Sequence, residues 1–273
     1  MYSLAIIFLS CLLIPGNLSL RLVVSGYNTQ LAIYEVLGSE LSPAGQWDVG
    51  VDNNDMTWLQ VDGSTIWVGH EVGEYQDTPG SVASRWEVSG DGLTLQKGEV
   101  VNTESVYTAH LLVNKEQGMA YAANYGGSSF TAISLMDGKL GEVAYLESFG
   151  EGCRDASHPH QTVAYKEWVW VVDLGCDTVW HYKVDQQQVE KVGQTSLRAG
   201  AGPRHMVVHP DKDLVFLLCE LQSFVQVYRY HGVGGMLDCL HSDFSGLMMA
   251  RATWSLFKSW RLHQMGKIQE LRS

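Results

Sequence analysis

The feature that most constrains this chain is an internal repeat of about fifty residues with strand-like texture. Trp58-Leu-Gln-Val, His110-Leu-Leu-Val, His160-Gln-Thr-Val and His205-Met-Val-Val fall into step, each followed by a short turn and an apolar run ending in a polar residue. Those runs are Ile66 to Glu71, Ala120 to Asn124, Val169 to Asp173 and Val215 to Glu220; from Glu71 to Asn124, Asp173 and Glu220 the steps are 53, 49 and 47 residues. A unit of that length built from short strands is what a four-stranded propeller blade produces, because one blade cannot bury its own faces and must stack on neighbours. Third strands follow in the same rhythm, as in Thr178-Val-Trp-His-Tyr-Lys-Val184 and Phe224-Val-Gln-Val-Tyr-Arg-Tyr230, and more polar fourth strands such as Glu142 to Glu147 complete some units. The near-continuous apolar second strands predict burial on both faces. The expected fold is therefore all-β, a β-propeller of four-stranded blades.

Upstream, Arg21 to Gly26, Gln30 to Val36 and Gln46 to Val49 read as the second, third and fourth strands of a further unit that lacks its first, and the C-terminus offers no strand to replace it. Before them, Leu4 to Ile14 is almost wholly apolar and precedes the first charge at Arg21. This pattern reads as a secretory signal peptide over residues 1–20, which places the protein in the secretory pathway or outside the cell. The competing reading is a buried first strand in a cytoplasmic protein. From Gly246 the texture changes: residues 246–273 carry five basic residues against Glu270, a local charge of +4 in a chain of −12, so residues 1–245 carry −12 − 4 = −16. The domains expected are thus a leader at 1–20, a partial propeller at 21–245 and a divergent basic tail at 246–273.

The acidic balance excludes the positive field that nucleic-acid and polybasic membrane-surface proteins need. No later segment is apolar over about 18 residues, so no membrane span is expected in the mature chain. Four cysteines beyond the leader are too widely spaced to read as a disulfide framework, and no C-x-x-C pair suggests zinc. No metal site and no cofactor are expected. Neither a Gly-x-Ser-x-Gly elbow nor a His-Glu-x-x-His pair is present.

The stretches Ala122-Ala-Asn-Tyr-Gly-Gly127, His158-Pro-His160, Asp173-Leu-Gly175 and Gly200-Ala-Gly-Pro-Arg-His205, followed by His209-Pro-Asp211 and Glu220-Leu221, occur in order. They resemble the lactonase family of seven-bladed propellers, which includes the propeller-type 6-phosphogluconolactonase and the carboxy-cis,cis-muconate lactonizing enzyme. The resemblance runs from about residue 22 to 240 and implies that four to five of seven blades are present. It also implies an active site at the mouth of the central channel, with His160, Arg204 and Glu220 as catalytic residues and His158, Arg154, Asn124 and Asp173 as substrate-binding neighbours. The residue types suit the chemistry: lactone hydrolysis needs a base for water, a cation for the carbonyl oxygen and a proton for the leaving alkoxide. The implied activity is a 6-phosphogluconolactonase-like hydrolase in carbohydrate metabolism, its partner a small-molecule lactone. The alternative is a non-catalytic binding propeller that keeps a vestigial site. The alignment puts His110, His160 and His205 at one repeat position, where His110 and His205 are expected to support the blades. Open propeller edges are expected to favour self-association.

Overall fold

The computed structural model describes residues 8–13, 20–26, 29–51, 56–89, 94–150, 153, 156–232 and 235–245. These form five four-stranded antiparallel sheets, each an up-and-down run of consecutive strands, with one two-stranded hairpin (Glu74–Tyr75 with Thr78–Pro79) inserted in the second sheet. The all-strand blade architecture expected from the repeat is what the chain adopts.

Burial explains why the second strand of each blade reads as a continuous apolar run. Thr65–His70, Met119–Asn124 and Trp168–Asp173 are buried at every position. Successive side chains point to opposite faces of a strand, and each face of an interior blade packs on a different neighbour. Ile66 and Val68 thus join Val23, Leu31 and Trp47 between the first and second blades, whereas Trp67 joins Leu111 and Ala122 between the second and third. Likewise Val169 and Val171 pack with Tyr121 and Phe130, while Trp168, Trp170 and Val172 pack with Met206, Val215 and Leu217 of the fifth blade. The outer strands show the opposite pattern: Lys139–Ser148 alternates buried or half-buried with exposed residues along its length, as a half-solvated edge strand must.

The tight turns follow the local sequence in part. Asp137 and Gly138 both take the left-handed conformation in the two-residue loop joining Ser129–Met136 to Lys139–Ser148, the turn an Asp-Gly pair favours. Gln186 and Gln187 adopt the same geometry without a glycine. The Gln187 side chain offsets that strain by donating to the carbonyls of Gly118 and Leu135 on the preceding blade, at 3.1 and 3.2 Å.

The first sheet corrects one sequence expectation. Its inner strand is not missing: Phe8–Leu13 pairs antiparallel with Leu20–Ser25, from Phe8 opposite Ser25 to Leu13 opposite Leu20, and packs near Met56–Asp62 of the second blade. The apolar run read as a leader is thus also a strand of the right length and character to fill the vacancy. Cleavage near residue 20 would leave that sheet with three strands. The basic tail, residues 246–273, lies outside the described residues. Among the described residues, no helix is long and apolar enough to cross a membrane.

Candidate active site

In blades two to five the innermost strand is Met56–Asp62, Thr108–Asn114, Pro159–Tyr165 and Pro203–Val208. Each begins with a break in register against the second strand, between Met56 and Trp58, Thr108 and His110, Pro159 and Gln161, and Pro203 and His205. The residue skipped at each break is Thr57, Ala109, His160 and Arg204. A bulge leaves its extra residue unpaired and re-aims its side chain, so His160 and Arg204 are equivalents on adjacent blades. This shifts the repeat by one residue in the fourth blade: the partner of His110 and His205 is Gln161, not His160. Matching histidine to histidine hides the shift, because a bulge changes the pairing without changing the hydropathy pattern.

A second shift separates the polar residues that end the second strands. Asn124 and Asp173 are the last strand residues, equivalent to His70 and Cys219, and are fully buried. Glu71 and Glu220 stand one residue further on, in step with Tyr125 and Leu174.

Arg204 and Glu220 meet, Nη1 to Oε1, at 2.6 Å, with 22% and 41% of their side chains exposed. The Gly200-Ala-Gly-Pro-Arg segment explains how. The buried Asp177 accepts the N–H groups of Gly200 and Gly202 at 2.7 Å each, and Glu220 donates its N–H to the Gly202 carbonyl at 2.7 Å. Gly202 has φ 59°, and a Cβ there would lie 2.3 Å from Leu221 Cγ, so only glycine lets the two loops close this tightly. Nε of Arg204 is buried with no hydrogen-bond partner.

His160 lies beside that pair. Its ring stands edge-on to His205 (centroids 5.3 Å, 83°) and to Tyr125 (5.6 Å, 81°), and its Nδ1 is buried without a partner. Burial, then the positive charge of Arg204, lowers the His160 pKa to about 4. Burial, then His160 and Arg204, lowers that of His205 to about 3, although Glu220 acts the other way. His110 is held well below its ordinary value by burial and by both other histidines. All three are therefore neutral at pH 7. His110 packs on Trp58 with centroids 3.9 Å apart, and its Nδ1 bonds Thr162 Oγ1 of the next blade at 3.1 Å, as a blade-supporting residue would.

The expected substrate-binding residues divide. His158 stacks on Tyr125 (4.3 Å, 12°) and is half-buried, one ring away from His160. Asn124 is engaged inside its blade: its oxygen accepts from Thr108 at 2.6 Å, and its amide donates to Ser129 and Thr131 at 3.0 and 2.9 Å. Asp173 is likewise saturated, by five donors described below. Arg154 lies outside the described residues. The structure therefore brings together His160, Arg204, Glu220 and His158 and holds Asn124 and Asp173 behind them.

Two features went unread in the sequence. Tyr125 is the aromatic bridge between His158 and His160, and its only signal was its place after Asn124 in a glycine-rich turn. Cys153 and Cys176 form a single disulfide, a pairing that their wide spacing in the sequence did not suggest. Cysteines 23 residues apart in sequence give no hint that the turn after Asp173 folds back onto the loop before His158. Cys153, Asp173 and Cys176 come close enough for a metal group, but both sulfurs are bonded to each other and the carboxylate is filled with N–H and O–H donors, so the donor set does not suit a cation.

The family description "Lactonase, 7-bladed beta-propeller" matches residues 23–245. Among similar curated proteins, the 6-phosphogluconolactonase of Enterobacter sp. (strain 638) is 26% identical over 152 residues, covering 54% of this chain and 44% of its own length. That of Bacillus subtilis is 26% identical over 170 residues, covering 59% and 48%. The chain thus spans about half the length of these curated relatives. Among solved structures, the periplasmic gluconolactonase of Pseudomonas aeruginosa aligns with a TM-score of 0.70 at 21% identity, covering 83% of this chain and 69% of that one. A protein from Lactobacillus plantarum aligns with a TM-score of 0.70 at 23% identity, covering 82% and 66%. With a family match across most of its length and the blade architecture to go with it, the chain belongs to the lactonase family of seven-bladed β-propellers.

Proposed function

We propose that this chain is a lactonase that opens a sugar-derived cyclic ester at the site built by His160, Arg204 and Glu220. The observation that carries the reading is the Arg204–Glu220 pair at 2.6 Å beside a histidine kept neutral by burial and by that same arginine. One Nη of Arg204 engages Glu220, and its remaining N–H groups are suited to the carbonyl oxygen as negative charge develops there. Glu220 takes the proton from the attacking water. As the ring C–O bond breaks, the leaving alkoxide receives a proton from the neutral His160 ring, which regains one from Glu220. The net result is one water added across the ester, with no group left altered. The relatives named 6-phosphogluconolactonase and the Pseudomonas gluconolactonase support a sugar lactone as substrate class.

The test is hydrolysis of 6-phosphogluconolactone and of unphosphorylated gluconolactone, followed by acid release in weakly buffered solution. Folded protein without turnover above the spontaneous rate on either compound would sink the proposal. The intact mass of protein recovered from a secreting host tells whether residues 1–20 are removed, as the leader reading expects.

A further inference from the structure

Asp173 is fully buried, and its carboxylate accepts five hydrogen bonds among the described residues. Oδ1 accepts the backbone N–H of His158 at 2.9 Å and those of Gly175 and Cys176 at 3.1 Å each. Oδ2 accepts the Ser157 hydroxyl at 2.6 Å and the Trp180 indole N–H at 3.0 Å. Four of these donors, Ser157, His158, Gly175 and Cys176, belong to segments that the Cys153–Cys176 disulfide also ties together. The turn is packed to its limit at Gly175, where a Cβ would lie 1.9 Å from the Ala156 carbonyl and 3.0 Å from Cδ2 of the His158 ring. The carboxylate therefore fixes the backbone of His158, and the turn after Asp173 fixes one edge of its ring.

The other edge is fixed by Tyr125. Nδ1 of His158 lies 3.0 Å from the Tyr125 carbonyl, while the Tyr125 ring stacks on the imidazole. A carbonyl can only accept, so Nδ1 carries the hydrogen, and in the uncharged form of the ring Nε2 keeps its lone pair. A half-buried acceptor of set direction, joined through Tyr125 to His160, matches a hydroxyl donor on the substrate.

From this geometry we infer that His158 is a specificity-determining acceptor for a lactone hydroxyl, and that Asp173 is the positioning residue that holds it in that state. The kinetic half of the inference rests on the lactonase reading. The tautomer half does not.

The experiment therefore has two arms. In the first, imidazole nitrogen shifts of uniformly 15N-labelled protein are recorded at about pH 8.5, above the ordinary imidazole range, with His158 assigned from the signals lost in His158→Gln. The expected spectrum shows Nδ1 protonated and Nε2 bare; Asp173→Asn turns an N–H toward Ser157 and Trp180 and should leave a mixture of tautomers. Should Asp173→Asn fail to fold, Ser157→Ala and Trp180→Phe each remove one donor to Oδ2 and should move the same signals part of the way. A wild-type ring protonated at Nε2, or one unmoved in all three variants, overturns the inference even if the protein proves inactive on lactones.

In the second arm, gluconolactone is compared with an analogue lacking one ring hydroxyl at a time. His158→Asn can still bond the Tyr125 carbonyl but offers no acceptor at the Nε2 position. Its KM for the parent lactone should rise about tenfold with kcat within about twofold, and discrimination against one deoxy analogue should collapse. His158→Gln, which reaches the Nε2 position with an amide oxygen, should recover much of the loss. Unchanged KM and unchanged discrimination in His158→Asn, with the parent enzyme active, overturns the assignment while leaving the lactonase reading intact.

Discussion

Arg204 and Glu220 are brought to 2.6 Å by two adjoining irregularities of the fifth blade, a bulge that frees Arg204 from the ladder and a strand end that releases Glu220 one residue past Cys219. The pair is placed by backbone, not by side-chain reach, so conservative substitutions should leave the fold unchanged. Arg204→Lys keeps the charge but not the planar fork. It should lower kcat/KM for a lactone by about 10²-fold, the scale on which oxyanion donors act. Glu220→Gln should lower kcat by a similar factor with a smaller change in KM. Both are read by initial rates on protein shown by melting to be folded, and full activity in both would displace these residues from the chemistry.

The charge state of His160 makes a pH prediction with a definite sign. The groups around it are Arg204 and the neutral His205, with His110 behind them and Glu220 paired to the arginine. Its pKa is lowered to about 4, so the neutral ring persists well below pH 6. If activity requires that form, the acidic limb of kcat/KM should fall near pH 4 and not near 6.5. Glu220→Gln removes the one nearby charge that favours protonation of His205, so the limb should move no higher in that variant.

Stability should follow the same histidines. His70, wholly buried and bonded through Nε2 to Ser84 at 2.8 Å, is lowered to about 3, as is His205. In the unfolded chain each titrates near its ordinary value of about 6.5. Between about pH 6.5 and 4 the unfolded state therefore binds protons that the folded state refuses. Stability is fully present above 6.5 and is lost as pH falls, by up to about 1.4 kcal/mol per pH unit for each such histidine. Melting temperatures measured from pH 7 to 4 should drop steeply, and His70→Gln should flatten the slope. A flat profile in the parent protein would show that these rings are not held neutral.

The Cys153–Cys176 disulfide closes a loop of 23 residues. Constraining the unfolded chain over that length is worth about 3 kcal/mol in the chain-entropy account. Cys176→Ser should therefore lower the unfolding free energy by about that amount, and a reducing agent should have the same effect on the parent but none on the variant. Equal denaturation midpoints with and without reductant would show that the bridge contributes nothing.

The blades were legible in the sequence because propeller burial writes itself into hydropathy: a strand covered on both faces, such as Trp168–Asp173, has no polar alternation to hide it. The candidate site residues were legible through motifs whose glycines answer to close contacts, as Gly202 does against Leu221. Position within the repeat was harder. Bulges at Ala109, His160 and Arg204 shift pairing by one residue and leave no trace in composition, so His160 aligned with His205 when its equivalent is Arg204. The internal hydrogen bonding of Asn124 and Asp173 was not legible for a related reason. A polar residue at a strand end reads as channel lining, and only the count of donors around it shows that its bonds are spent inside the blade.

The fifth blade supplies the last prediction. Its second strand, Leu214–Cys219, alternates between buried and half-buried residues, whereas the matching strands of blades two to four are buried throughout. Val215, Leu217 and Cys219 pack against the fourth blade. Phe216 and Leu218 point the other way, and among the described residues no sixth sheet lies against them. Val207, opposite Phe216 in the ladder, is 42% exposed on the same blade. An apolar sheet face of this kind gains from being covered, at about 25 cal/mol for each Å² of apolar surface removed from water. The chain should therefore associate with rising concentration, and Phe216→Ser with Leu218→Thr should weaken that association while leaving the first four blades folded. Sedimentation velocity over a hundredfold range of concentration measures it. A parent chain that stays monomeric throughout, or a double variant that associates as strongly as the parent, would place the sticky surface elsewhere or show that there is none.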